Sequence, residues 1–340
     1  MRIDLKNRIY FIALILMLPI LFTADILIGS ISISPSVFIE ALSGNDINRA
    51  EEIIIFESRI PKALTAVLCG ASLSISGLLM QTLFRNPLAG PYILGISSGA
   101  GLGVAFLIMG ASLFGITLSS SIGLSVAAII GALMVLFLLL IVSIRVKEVM
   151  TLLILGVMLG AIATAIIGLI QFFTTDYQLK SYLFWSLGSL SSVTYSEIQL
   201  MFAFIVISIG LSYLFSKNLN ALLLGEEYAS SIGIKINRSR IVIIVVSGIL
   251  AGTVTAFCGP IGFVGIVVPH LSRMLFQTTN HRLLIPASLL IGSSLLLFSD
   301  LLSSILGNGM NLPINSITAL LGIPIILWII FNKRNISSGF

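Results

Sequence analysis

The sequence predicts an all-α polytopic membrane protein of about ten transmembrane helices, with both termini cytoplasmic. Charge depletion, the spacing of long apolar runs and the one-sided placement of positive charge lead there. Of 340 residues, 57% are hydrophobic and only 9% charged, against roughly a quarter charged in soluble domains. So little polar side chain cannot cover a water-facing surface, and lipid is the economical solvent. The 30 glycines suit bilayer helices, whose backbones approach closely through small residues.

A helix crossing about 30 Å of hydrocarbon needs about 20 apolar residues. Such runs lie near 9–28, 60–82, 92–109, 119–143, 149–173, 197–215, 241–258, 261–277, 283–306 and 313–331. The 261–277 run is short, interrupted by Gly and Pro, and contains His270 and Arg273. Leu179 to Leu190 is shorter still and suits an interfacial or re-entrant helix. The first run follows Arg2, Lys6 and Arg8 as a signal peptide would. Its length, and the lack of a small-x-small cleavage pattern before Ser30, predict an uncleaved helix. With the N-terminus inside, only Arg49, Arg59, Lys62 and Lys180 of the 18 Lys and Arg lie outside. Span count and orientation thus support each other. The whole of 1–340 reads as one permeation-type domain embedded in lipid.

The net charge of +5 is scattered between apolar runs, which is what topology needs and gives no nucleic-acid patch. Cys69 and Cys258 each fall inside an apolar run without a CxxC or a histidine partner, so they read as buried free thiols. No metal site, GxxxxGK[ST] phosphate loop or HExxH occurs, and the two histidines are His270 and His281. The chain therefore lacks catalytic residues and is predicted not to be an enzyme. Asp25 and Asp300 sit near the outer ends of their runs with no Lys or Arg at helical spacing. That counts against an ion-coupled secondary carrier for a small organic solute, the alternative reading, because such carriers hold their ion on interior charges.

Several segments exceed what lipid-facing helices require. Gly95, Gly99 and Gly103, with Ser98 between them, recur every four residues and predict one small helix face, for packing or for a pathway wall. Asn86 and Pro87 begin a turn that runs to Gly90-Pro91 and cannot continue a helix. Gly259 and Pro260, with Gly262, Gly265 and Pro269 beyond them, predict a discontinuous helix beside a cavity. In the longest inner loop, 219–240, Gly225, Ala229 and Gly233 share a spacing of four amid Glu226, Glu227, Lys235, Arg238 and Arg240. This pattern predicts a short helix under the membrane with a smooth face for a partner.

Together these segments resemble the permease subunits of bacterial ABC importers for iron–siderophores, haem and vitamin B12, the FecCD-type importers. The motifs are Arg59-Ile-Pro-Lys62, GASLSISGLLMQTLFRNPLAGPYILGISSGAG, LGEEYASSIGI, GPIGFVGIVVPHLSR and LPINSITALLGIPIILWII, in that order. The resemblance implies a homodimer in the bacterial cytoplasmic membrane, with a pathway between the copies. It further implies two cytoplasmic ATPase subunits, which carry ATP-Mg, and an extracytoplasmic substrate-binding protein; this chain itself binds no cofactor. Helices about 219–236 would dock the ATPase through Leu224, Gly225, Glu226, Glu227, Ala229, Ile232, Gly233 and Lys235. Arg59 and Lys62 would meet carboxylates of the binding protein, Lys62 without the bidentate fork of an arginine. Spans near Gly95–Gly103, 149–173 and 313–331 would line the pathway, with Arg145 and Lys147 at an inner gate.

Overall fold

The computed structural model describes residues 4–29, 31–45, 47–110, 121–146, 148–307 and 310–331. Among them there is no strand, and each predicted apolar run coincides with a helix. We number the helices α1 (Leu5–Leu27), α2 (Pro35–Leu42), α3 (Arg49–Phe84), α4 (Ile96–Gly110), α5 (Ser121–Arg145), α6 (Val149–Phe172) and α7 (Asp176–Ser186). There follow α8 (Tyr195–Leu214), α9 (Ser216–Leu224), α10 (Glu226–Ser231), α11 (Ile236–Cys258), α12 (Val264–Phe276), α13 (His281–Leu306) and α14 (Ile314–Phe331). The Leu179–Leu190 run is the short α7, as its length predicts.

Seven of the described helices, α1, α3, α5, α6, α8, α11 and α13, are long and apolar enough to cross a bilayer. The other three expected spans are shorter apolar helices: α4, α12 and the stretch Ile314–Ile329 of α14. Two of the shortfalls have a local cause. Gly95 takes φ +73° and ends a 3-10 turn, Pro91–Leu94, before α4 can start. The break between Cys258 and Val264 uses up residues counted toward the 261–277 run, leaving α12 with 13, about 20 Å at 1.5 Å per residue.

The centre of the bundle is α3, which is buried over most of 61–84. Its small and hydroxyl residues explain why neighbours come so near. A Cβ on Gly70 would stand 2.2 Å from the Gly292 carbonyl oxygen of α13, and one on Gly77 within 1.7 Å of the Gly265 oxygen of α12. Ser72 Oγ donates to the Leu250 carbonyl at 2.9 Å and Ser76 Oγ to that of Ser247 at 3.0 Å, both on α11. Ser293 Oγ of α13 donates to the Val67 carbonyl at 2.8 Å. Without a hydrophobic drive between helices in lipid, such close contacts and interhelical hydrogen bonds carry the association. Cys69 and Cys258 are free and buried as predicted, with their Sγ atoms 3.4 Å apart across α3 and α11.

Gly99 and Gly103 serve packing. A Cβ on Gly99 would lie 2.6 Å from the Gly131 oxygen, and one on Gly103 2.0 Å from the Ala127 oxygen, both on α5. Gly95 is not on that face: it precedes α4 and lies against Gly156 and Gly160 of α6. Gly103→Val is expected to force α4 off α5, at the ~1–3 kcal/mol typical of overpacking or somewhat more, because the obstructing atom is backbone. A lowered unfolding temperature of the detergent-solubilised chain checks this.

Candidate functional site

α3 connects two polar ends. At the first, a wide π-helical turn, Ile54–Arg59, leads into Pro61, where a missing N–H and a bulky ring disturb regular helix. This turn delivers Arg59 and Lys62 to the protein interior, with relative exposures of 6% and 4%. The Arg59 guanidinium donates to the carbonyls of Ile28 (3.2 Å) and Ile31 (3.3 Å), in the link between α1 and α2. A Cβ on Gly29 would collide with it at 1.7 Å. Lys62 Nζ lies 2.8 Å from Asp300 Oδ2, a contact of charge rather than of hydrogen-bond alignment; its hydrogen bond goes to Ser304 Oγ at 3.3 Å. Asp25 of α1 is buried close to Asp300.

Asp25 and Asp300 have no Lys or Arg at helical spacing, as expected, yet Asp300 does have a basic partner. The partner comes from another helix, 238 positions away for Lys62 and Asp300 by their numbers, which helical spacing cannot reveal. Nor are Arg59 and Lys62 free surface cations. They do, however, line a cavity of about 190 Å³ together with Ile31, Ile54, Ser58 and Asn311.

At the opposite end, Arg85 closes α3 in the left-handed conformation, φ 46°. Its Nε donates to the Leu222 carbonyl at 3.2 Å, tying α3 to α9. Asn86 Oδ1 accepts from Leu88 N–H at 2.9 Å, so Asn86 and Pro87 form the tight connector their sequence predicts. Thr82, His281 and Asn220 form a buried polar chain among α3, α13 and α9 that sequence reasoning missed.

The loop 219–240 is not one smooth-faced helix. Gly225, at φ +124°, separates α9 from α10, and Gly233, at φ +86°, turns the chain toward α11. Ala229 is fully buried. Glu226 is taken by Arg240, whose Nη2 lies 2.7 Å from Oε1 and whose Nε lies 2.9 Å from it. The small residues thus serve backbone geometry and inward packing. The exposed apolar side chains are Leu224, Tyr228 and Ile232, at 69%, 48% and 54%, flanked by exposed Glu227 and Lys235. Tyr228 was legible from its own spacing of four between Leu224 and Ile232.

Between the two ends lies the predicted break. Gly259 takes φ +73°, and a Cβ there would meet the Trp185 carbonyl at 2.4 Å. The freed backbone groups find side-chain partners, as an interruption within lipid requires. Ile261 N–H donates to Tyr92 Oη at 3.0 Å, and Gly262 N–H to Asn315 Oδ1 at 2.9 Å. Pro260 is half-buried and Pro269 is buried inside α12. Ser98 faces Gly160 of α6. Arg145 ends α5 exposed, and Lys147 lies outside the described residues.

The sequence profile of the FecCD transport family matches residues 15–332. The chain belongs to the FecCD transport family. Among its FecCD relatives, the vitamin B12 import system permease protein BtuC of Klebsiella pneumoniae subsp. pneumoniae is 36% identical over 283 residues, 83% of this chain and 84% of that protein. BtuC of Escherichia coli O9:H4 is also 36% identical over 283 residues, covering 83% and 85%. A solved chain of a metal-chelate type ABC transporter, in an inward-facing conformation, superposes with a TM-score of 0.83 at 31% identity. The likeness covers 94% of this FecCD chain and 98% of that one.

Proposed function

We propose that this FecCD-family chain is the membrane permease subunit of an ATP-driven importer for a metal chelate or corrinoid: an iron–siderophore, haem, cobalamin or similar compound. The observation that carries the reading is the likeness to a metal-chelate type ABC transporter chain along nearly the entire length, in company with vitamin B12 permeases. The permease works as a homodimer in a bacterial cytoplasmic membrane, with about ten traverses and both termini inside. Two ATPase subunits dock on α9 and α10 and hold the ATP-Mg. A binding protein delivers cargo at the Arg59 end.

Mechanistically, ATP binding closes the ATPase pair and shifts α9 and α10, and the bundle alternates the access of a pathway between the two copies. Arg145 and Lys147 belong to its inner gate, and α6 and α14 contribute to its wall. An acidic side chain of the binding protein would enter the cavity lined by Arg59 and Lys62, where two cations stand close to a polar rim of Ser58 and Asn311. A secondary carrier holding its ion on Asp300 would compete with Lys62, which is paired with that carboxylate.

The test is uptake of labelled cobalamin, haem or an iron–siderophore into proteoliposomes holding this chain with its genomic-neighbour ATPase and binding protein. Uptake that needs ATP and both partners is expected for one of these cargoes. Uptake by the chain alone, driven by an ion gradient, would sink the proposal.

A further inference from the structure

Among the described residues, three side-chain links from α9 and α10 to the bundle stand out beside the Arg85 contact. Glu226 pairs with Arg240 at the start of α11 but is itself 36% exposed, so water and salt screen that link. Asn218 Nδ2 donates to Ser239 Oγ at 3.2 Å, again on α11. The third link is of another kind. Asn220 Oδ1 accepts the His281 backbone N–H at 2.9 Å and faces His281 Nδ1 at 2.8 Å. His281 Nε2 lies 2.7 Å from Thr82 Oγ1. Asn220 Nδ2 donates to Asn280 Oδ1 at 3.0 Å, the same oxygen that caps the start of α13 by accepting from Arg282 N–H. His281 is completely buried and Thr82 is 1% exposed.

The donor inventory orients the Asn220–His281 half of this chain. Asn220 Oδ1 can only accept, so His281 Nδ1 carries the proton, and the Thr82 hydroxyl, which also lies 2.8 Å from the Leu78 carbonyl of its own helix, has one proton to share between that oxygen and His281 Nε2. Thr82 and His281 are buried, while Asn220 is half-buried. Loosening the Thr82–His281 contact strands a buried polar group at about 1–3 kcal/mol, far more than a screened surface pair is worth. The link is therefore stiff where the Glu226 link is compliant. It also meets α3 in its last turn, on a helix that runs unbroken to Arg59 at the other polar end.

We infer that the Thr82–His281–Asn220 chain is the joint through which displacement of α9 is passed to α3 and α13, so that these three are positioning residues for energy coupling. The inference rests on the importer reading. A weakened joint would let the ATPase turn over without moving the bundle, so its mark is a changed ratio of cargo to ATP and not simple loss of activity.

The experiment compares wild-type chain, Thr82→Val and Thr82→Ser, each reconstituted with ATPase and binding protein. Radiolabelled cargo uptake and phosphate release are read on the same vesicles. Thr82→Val keeps the shape of the side chain and removes the hydroxyl. It is expected to retain ATPase co-purification and hydrolysis while uptake per ATP falls about tenfold, the ratio matching one stranded buried acceptor. Thr82→Ser restores the hydroxyl and is expected to return the ratio to within about twofold of wild type. Asn220→Leu provides a second break in the same chain, with the same expected direction.

A wild-type ratio in both Thr82→Val and Asn220→Leu overturns the joint and leaves the importer reading intact. So does a proportional fall of uptake and hydrolysis that Thr82→Ser fails to rescue. A wild-type complex that transports without ATP overturns the importer reading and this inference together.

Discussion

Lys62→Met is expected to lower the stability of the chain by about 3–5 kcal/mol, the cost of breaking a buried ion pair from one side. Methionine matches the lysine stem in length and fills the same channel between α3 and α13, so the loss is one of charge. What remains is the Asp300 carboxylate, 3% exposed, beside Asp25 at 2%, with Ser304 as a lone hydroxyl neighbour of the vacated position. Asp25 Oδ1 already has no hydrogen-bond partner among the described residues, so no reserve of donors exists to take over. Replacing both charges by apolar side chains, as Lys62→Met with Asp300→Leu, is expected to recover most of the loss, since a well-packed apolar replacement of an ion pair is often neutral. Thermal unfolding of wild type and the two variants in detergent measures this. Equal stability of Lys62→Met and wild type would show that the pair does not hold α1, α3 and α13 together.

That pair also marks the limit of what one sequence shows. Apolar runs are counted along the chain, and every one of them became a helix, because the cost of unpaired backbone in lipid leaves no other local choice. The break after Cys258 was legible for the same reason: Gly-Pro-Ile-Gly cannot stay helical. Partners from distant helices were not legible. Lys62 with Asp300, Cys69 with Cys258 and Thr82 with His281 each join positions far apart in the chain, and nothing local encodes their encounter. Span length was overestimated where turn residues are apolar, as at Pro91–Leu94, since hydropathy does not register a change of backbone direction.

The loop 219–240 erred differently. Its spacing of four was read as one helix face, although glycine at such a spacing equally serves positive φ at a helix break. Gly225 and Gly233 do that, and Ala229 packs inward. The face that remains outward is apolar and carries Leu224, Tyr228 and Ile232.

This face, not the glycines, should decide whether the ATPase binds. Leu224→Asp combined with Tyr228→Ala is expected to abolish ATPase co-purification while the detergent-solubilised chain keeps its unfolding temperature. Both side chains point away from the bundle, so their replacement strands no buried group. In a complex each would be buried, at about 1.5–3 kcal/mol per large apolar side chain. Losing two therefore weakens binding by about a hundred- to ten-thousandfold, and a charge left at position 224 adds a desolvation penalty. Gly233→Trp is the instructive comparison. A Cβ there meets nothing within 4 Å, but the φ of +86° is poorly tolerated by any other residue, so its expected effect is local strain in the turn and a smaller loss of binding. If Gly233→Trp abolished co-purification and the Leu224–Tyr228 double variant did not, the turn would be the contact, and the outward apolar stripe would lie against lipid headgroups instead.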